Sequence, residues 1–208
     1  MGRHTGPVCR LCRREGIKLY LKATRCTTKC PVERRNGGPG MHPIHRGKPS
    51  EYAVRLREKQ KVKRYYGVFD RQFRKYYDMA SRRPGNTGDA LLSLLERRLD
   101  NVVTCLHFGN SRPESRQMIN HGHVLINGKK VDISSYLVRP GDVVTIKNRE
   151  GSRNLAAAHL ALDGQPQIPD WLELTSNDPP EGRVLRLPGR QDVTLPVTPQ
   201  LIIELLSR

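Results

Sequence analysis

The chain has 208 residues and a formal net charge of +17, with 36% hydrophobic and 5% aromatic residues. No apolar run is long enough to span a membrane and no signal-peptide core follows the start, so the sequence predicts a cytoplasmic protein. The charge is uneven, because residues 1–88 carry 23 Lys and Arg against 6 Asp and Glu, whereas residues 89–208 carry 14 of each. This basic segment indicates a polyanionic partner, with nucleic acid favoured over a membrane surface.

Four cysteines lie near the start of the chain in two closely spaced pairs, Cys9-x-x-Cys12 and, after thirteen intervening residues, Cys26-x-x-x-Cys30. Two such pairs can hold one tetrahedral ion, and the segment between them is too small to fold around a core of its own. Disulfides are the alternative, and they are rare in chains without a secretion signal. We therefore predict one structural metal ion, with Zn²⁺ favoured and an iron–sulfur cluster as the alternative.

A Gly- and Pro-rich stretch follows over residues 31–49. No core can form from this stretch alone, so we predict an extended arm that becomes ordered against RNA. His42 and His45 within it are a rival pair of metal ligands, although solvated or RNA-contacting histidines are the simpler interpretation. The arginines that we expect to contact RNA in this first region are Arg3, Arg10, Arg13 and Arg14.

Ser50 is predicted to cap a basic helix that runs to about Tyr66, with Gly67 at the stop position. Six cations fall within ten residues of this helix. A solvated face is the plain alternative, but cations at this density favour contact with phosphates. They are Arg55, Arg57, Lys59, Lys61, Lys63 and Arg64.

Two more helices are predicted before residue 110. Asp70 should cap the first, which reaches about Ser81 and packs a small aromatic core against the preceding helix. The turn after it adds Arg82 and Arg83 to the expected RNA contacts. The second helix is strongly amphipathic and should run without a break from Asp89 to the pair Phe108-Gly109. Its Arg97 and Arg98 would face either RNA or water.

The stretch from Ser111 to Lys147 is predicted to form a helix followed by a hairpin. Ser111 and Glu114 match a capping box, Asn127-Gly128 is a strong two-residue hairpin signal, and a further strand covers residues 143–146. A small structural element with an ordinary charged surface is the alternative to an RNA-binding module. The expected RNA contacts are Arg112, Arg116, Gln117, Asn120, His121, His123, Asn127, Lys129 and Lys130.

The last part of the chain is predicted to have no phosphate-binding role, because residues 151–208 hold 5 Lys and Arg against 7 Asp and Glu. A short helix should cover residues 152–162. Strands should cover residues 171–174 and 183–187, joined by a turn over residues 177–182. Thr198 should cap a final helix whose apolar side packs on this chain or on a protein partner.

The residue order carries a family resemblance. Residues 111–142 resemble the RNA-binding module named after small-subunit ribosomal protein S-four, through Ser111-Arg112-x-x-x-Arg116-Gln117, His121-Gly122-His123-Val124-x-Ile126-Asn127-Gly128 and Val138-x-Pro140-Gly141-Asp142. Residues 2–16, 52–61, 95–103 and 195–208 extend the resemblance to the bacterial S-four family over the whole chain. The four cysteines match the branch of that family that keeps them.

The resemblance implies an α+β fold. It implies a basic metal-knuckle region and arm over residues 1–48, and a helical domain built from residues 49–91 with 182–208. Inserted between those halves, residues 92–181 would form an S-four-type, αL-like RNA-binding domain in which a small antiparallel sheet packs against helices.

The resemblance also implies a function. It predicts a primary binder of the 5′ domain of 16S-type rRNA that nucleates assembly of the small ribosomal subunit and, with ribosomal protein S-five, influences translational accuracy. Messenger RNA near the channel by which it enters the ribosome is a further implied partner. The alternatives are an RNA-modifying enzyme such as a pseudouridine synthase, which would need a separate catalytic domain, and a free RNA chaperone that carries the same module.

Overall fold

The computed structural model describes residues 4–35, 37–41, 47–162, 164 and 166–207. The chain divides into two compact units. The helical unit comprises Met1–Leu91 with Leu195–Arg208, and the sheet unit comprises Leu92–Thr194. The sheet unit therefore ends later than the predicted boundary at residue 181, because the strand that crosses that boundary belongs to the sheet. Arg3, His42 and His45 lie outside the described residues.

The helical unit begins with three short helices, α1 (Cys9–Glu15), α2 (Thr24–Thr28) and α3 (Pro31–Arg34). Helix α1 ends at Gly16, whose φ of 70° is a left-handed conformation that glycine adopts without strain. Few apolar side chains are buried in this stretch beyond Leu19, Leu21 and three of its cysteines. The small core agrees with the expectation that the segment needs stabilisation from another source.

Two longer helices follow, α4 (Glu51–Tyr65) and α5 (Asp70–Ser81). The predicted Ser50 cap is confirmed, since its hydroxyl accepts a hydrogen bond from the Ala53 amide at 3.2 Å. The predicted Asp70 cap is wrong by one position, because Phe69 is the N-cap of α5 and Asp70 is its first residue. The final helix α10 (Pro199–Leu206) packs on α4, which buries Ile202 and leaves the other apolar residues of α10 partly exposed.

The amphipathic segment predicted from residue 89 forms two helices, α6 (Thr87–Glu96) and α7 (Leu99–Cys105). The break at Arg98 arises because the first amides of α7 find acceptors elsewhere. The Leu99 amide donates to the Tyr136 carbonyl at 2.9 Å, and the Asp100 amide donates to the Ser134 carbonyl at 3.2 Å. Partners that lie more than thirty residues downstream cannot be read from helical spacing.

The sheet unit contains α8 (Arg112–Asn120), α9 (Glu150–Leu160) and one antiparallel sheet. Its strands are β1 (Val124–Ile126), β2 (Lys129–Lys130), β3 (Val143–Ile146), β4 (Leu172–Asn177) and β5 (Pro180–Val184), and their order is β2-β1-β3-β5-β4. The buried core is formed by apolar residues of α7, α8 and the sheet, with Trp171 among its largest members.

Local signals in this unit were correct at one turn, and wrong at one helix cap and at a second turn. The Asn127-Gly128 hairpin is confirmed, with φ values of 50° and 75° as its turn requires. Ser111 is the N-cap of α8 but makes no side-chain capping bond, and Glu114 accepts from the Asn110 amide at 3.2 Å instead. The predicted turn over residues 177–182 is shorter, because Asn177 and Pro180 already pair across the sheet.

Among the described residues, no helix combines the length and the apolar character needed to cross a membrane.

Candidate nucleic-acid interface

The cations of α4 are largely paired with carboxylates instead of being displayed as a row of free charges. Glu15 accepts from Arg57 at 3.3 Å and also from Arg64. Lys59 and Lys63 lie 2.8 and 2.9 Å from Asp70. The remaining pairs join Arg55 to Glu51 and Glu204, and Lys61 to Glu58. The cationic surface of this helix is therefore smaller than its sequence alone predicted.

A cavity of about 790 Å³ lies between α1, α3 and the start of α4. It brings together Arg13, Arg14 and Arg57, three of the predicted RNA contacts. The sequence prediction did not include Arg35 and Lys48, which also line it. Arg10, Arg82 and Arg83 are exposed elsewhere in the helical unit.

The four cysteines of the first region lie close enough to influence one another. Cys12, Cys26 and Cys30 are buried, and Cys9 is partly exposed. Burial raises the pKa of the Cys12 thiol, and the charges of the other three cysteines raise it further. The Lys22 amide donates to the Cys26 sulfur at 3.3 Å.

This donor set suits a thiophilic ion, because buried thiols that repel one another as thiolates need a cation to offset their charge. In the described part of the chain, no group of three or more Cys, His, Asp or Glu side chains is arranged as a metal site. The predicted zinc site therefore stays a prediction.

The two arginines of α8 that were predicted to contact RNA differ from each other in exposure. Arg116 is only 8% exposed and its Nη1 lies 4.0 Å from the Asp100 carboxylate. Arg112 is half-buried, and its Nε donates to the side-chain Oδ1 of Asn101 at 2.9 Å. Arg98, expected to face RNA or water, is 1% exposed and forms two hydrogen bonds to Asp100. Arg116 and Arg98 are thus built into the sheet unit.

The end of α8 and the β1–β2 hairpin form an exposed polar and cationic surface, which we call the module edge. An ideal Cβ on Gly122 would lie 2.3 Å from Lys130 Cε, so the Lys130 side chain runs across the end of α8. The imidazole rings of His121 and His123 lie 6.0 Å apart. The module edge consists of Gln117, Asn120, His121, His123, Lys129 and Lys130.

Sequence reasoning missed two cations beside this surface, Lys147 and Arg149. Burial lowers the pKa of His123, and the charges of His121, Arg149 and Lys147 lower it further, so these groups are close. The Lys147 amide also donates to the His123 carbonyl at 2.8 Å. Strand pairing is what brings Lys147 to this surface. Because β3 pairs with β1, Lys147, which follows β3, lies beside His123, which precedes β1.

Asn127 was predicted to contact RNA, but its side chain is used within the protein. Its Nδ2 donates to Asp142 Oδ1 at 2.9 Å, and its Oδ1 accepts from the Val143 amide at 2.9 Å. Asp142 also accepts from the Arg139 amide at 2.8 Å. Asn127 therefore fastens the hairpin to the start of β3, and it supports the module edge instead of presenting an amide to a ligand.

The fold is of the α+β class, with helices and one antiparallel sheet, and its cationic edge suits a nucleic-acid partner. Comparison with known families agrees. Residues 3–96 match the family described as ribosomal protein S4/S9 N-terminal domain, and residues 97–144 match the S4 domain. The chain belongs to the uS4 family of ribosomal proteins, which are structural proteins of the cytoplasmic ribosome and not enzymes. The pseudouridine-synthase alternative is therefore set aside.

Similar proteins match over their whole length. The chain is 54% identical to the small ribosomal subunit protein uS4 of Thermoanaerobacter pseudethanolicus over 209 residues, which covers 100% of each chain. Small ribosomal subunit protein uS4A of Symbiobacterium thermophilum and small ribosomal subunit protein uS4 of Desulfitobacterium hafniense are also 54% identical, again over 100% of each chain.

Proposed function

We propose that this chain is a structural component of the small ribosomal subunit that binds the 5′ domain of 16S rRNA directly and nucleates subunit assembly. The observation that carries the proposal is the module edge, where exposed amides and lysines, the exposed His121 and the half-buried His123 surround the end of α8 and the hairpin. Cations position a protein on the phosphate backbone, and amides and imidazoles supply hydrogen bonds to bases or ribose. Whole-length similarity to small-subunit proteins supports the same role.

Contact with two further partners is part of the proposal. Ribosomal protein S-five would meet the less basic surface, and together the two proteins would influence translational accuracy. The net acidic charge of residues 151–208 supports this. Leu185 and Leu187, which are 49% and 46% exposed, add apolar surface suited to a protein partner. Messenger RNA that enters the ribosome would contact basic residues of this chain near the entry channel.

We further propose that Cys9, Cys12, Cys26 and Cys30 hold one structural Zn²⁺ ion. Four thiolates leave no open coordination position, so the ion would stabilise the first region and would not catalyse a reaction. An iron–sulfur cluster is the alternative. The mutual influence of the buried thiols and the amide-to-sulfur hydrogen bond at Cys26 support the proposal.

Removal of hairpin charge tests the role of the module edge. We expect the double substitution Lys129→Gln and Lys130→Gln to weaken binding to the 5′-domain fragment of 16S rRNA and to reduce the salt slope by about one to two phosphate contacts. The matched control is Arg139→Gln with Arg183→Gln, which removes the same charge from exposed positions outside the module edge. Equal losses in the two variants would remove the module edge as the binding surface.

A further inference from the structure

We propose that Asn101 is a positioning residue for RNA binding, because it fixes Arg112 in the orientation in which its guanidinium group meets RNA. The inference rests on the proposed RNA-binding function and adds a residue that acts on RNA through another side chain. Asn101 itself is 0% exposed in the structure, so it cannot touch RNA directly.

Both ends of the Asn101 amide are used. Its Nδ2 donates to the Glu96 carbonyl oxygen at 3.0 Å and to the Glu96 carboxylate at 2.5 Å. Its Oδ1 accepts from Arg112 Nε at 2.9 Å. Since an amide has donors at one end and an acceptor at the other, the two acceptors of Glu96 determine which way it faces. The side-chain Oδ1 of Asn101 therefore points at Arg112.

The break between α6 and α7 creates this arrangement. Glu96 is the last residue of α6, and Asn101 lies in the first turn of α7. The change of direction at Arg98 brings the two side chains together, and Glu96 is 3% exposed there. An unbroken helix would place residues five positions apart on different faces. The break between α6 and α7, which helical spacing failed to predict, therefore creates a chain of hydrogen bonds from Glu96 through Asn101 to Arg112. We call this chain the relay.

The relay acts on an arginine that is partly open to solvent. Arg98 and Arg116 are buried at 1% and 8% exposure, whereas Arg112 is half-buried at the first position of α8. A guanidinium group is planar, so a hydrogen bond to Nε restricts the plane in which its other donors lie. Orientation before binding lowers the entropy lost when RNA is bound.

A purely stabilising role would not require these groups. Buried polar networks are costly to assemble, and well-packed apolar residues often give equal or greater stability. Two carboxylates, Glu96 and Asp100, are nevertheless buried within a few residues of each other. Such a network fixes the orientation of the side chains in it, which apolar packing does not do.

A double-mutant cycle on the full chain separates the two roles. The probe is the 5′-domain fragment of 16S rRNA, and the substitutions are Asn101→Ala and Arg112→Ala, alone and together. If Asn101 acts through Arg112, Asn101→Ala weakens binding by about tenfold in the native background and by less than about twofold in the Arg112→Ala background. The matched control is Thr104→Val, which removes one hydrogen bond to the Asp100 carbonyl within α7 and one to the Ser115 hydroxyl of α8, and leaves the relay intact.

Each outcome decides the question. A similar loss in both backgrounds means that Asn101 acts only through the fold, and no loss in the native background means that it does not act at all. Unchanged binding by Arg112→Ala removes the arginine from the interface. All three overturn the inference, while native binding still reports separately on the proposed function. If Asn101→Ala does not fold, Glu96→Gln replaces it in the cycle, with a smaller loss that again depends on Arg112.

Discussion

At the scale of single residues, partners distant in sequence decide what a charged side chain does. Glu15 lies 42 residues before Arg57, yet its side chain is 1% exposed and pairs with both Arg57 and Arg64. The sequence shows that α4 is rich in cations, but it does not show that carboxylates elsewhere in the chain pair with them. The carboxylates that pair with it come from α1, α5 and α10 as well as from the helix itself.

Asp70 gives a pH-dependent prediction at this scale. Hydrogen bonds from Lys59 and Lys63 hold its pKa well below the ordinary value. A depressed folded-state pKa contributes stability that is fully present above the unfolded value of about 3.9 and is lost as pH falls below it. Asp70→Asn should therefore lower the midpoint of thermal unfolding at pH 7, and the gap to the native chain should narrow toward pH 2.

The Asp70 side chain is 43% exposed, so solvent screening keeps the expected gap small. Asp78→Asn changes an exposed position of the same helix and is the control, with little expected effect at either pH. A gap for Asp70→Asn that stays constant from pH 7 to pH 2 would exclude the ion pairs as its cause.

Gly182 gives a second prediction, which concerns packing. A Cβ at this position would lie 2.6 Å from a methyl group of Leu106, which is 0% exposed and cannot move aside. Gly182→Ala should lower the free energy of unfolding of the sheet unit by about 1–3 kcal/mol, as overpacked cores do. Urea unfolding measures this. Gly151→Ala, which meets open space in α9, is the control and should leave stability unchanged or slightly higher.

At the scale of elements, local chemistry predicted the parts whose hydrogen bonds are local. The Ser50 cap, the Asn127-Gly128 hairpin and the start of α10 at Pro199 all depend on neighbouring residues. The break between α6 and α7 was missed because the amides of α7 are satisfied from residues 134 and 136. The start of β5 was missed because Pro180 was assigned to the turn. A proline is nevertheless compatible with the first position of a strand, and β5 begins there.

The cysteine region gives the prediction for this scale. The purified chain should carry about one zinc ion, and a chelator should abolish the structure of the first region, because too little apolar surface is buried there to hold α1–α3 together. Elemental analysis and circular dichroism measure these effects. Cys26→Ser should lose the ion, whereas Cys105→Ser in the sheet unit should keep it. A native chain that is folded and metal-free would contradict the proposal, and strong visible absorbance would favour an iron–sulfur cluster.

At the scale of the whole molecule, charge indicated the kind of partner but not the surface that meets it. The net charge of +17 lies in residues 1–88, and much of it on α4 is paired within the protein. The module edge belongs to a part of the chain whose formal charge is balanced. Its lysines and histidines were predicted from motif order, while Lys147 and Arg149 joined them only through strand pairing.

The central claim is that this chain recognises one RNA structure and is not merely attracted to phosphate. The most direct measurement is the affinity of the full chain for the 5′ domain of 16S rRNA across a salt series, beside an unrelated structured RNA of equal length. Affinity should fall steeply with salt for both RNAs, by a logarithmic slope of about −0.7 to −0.9 per neutralised phosphate. The account predicts that the ribosomal fragment keeps a large preference at high salt. Parallel loss of both affinities would contradict it and would favour a general RNA chaperone.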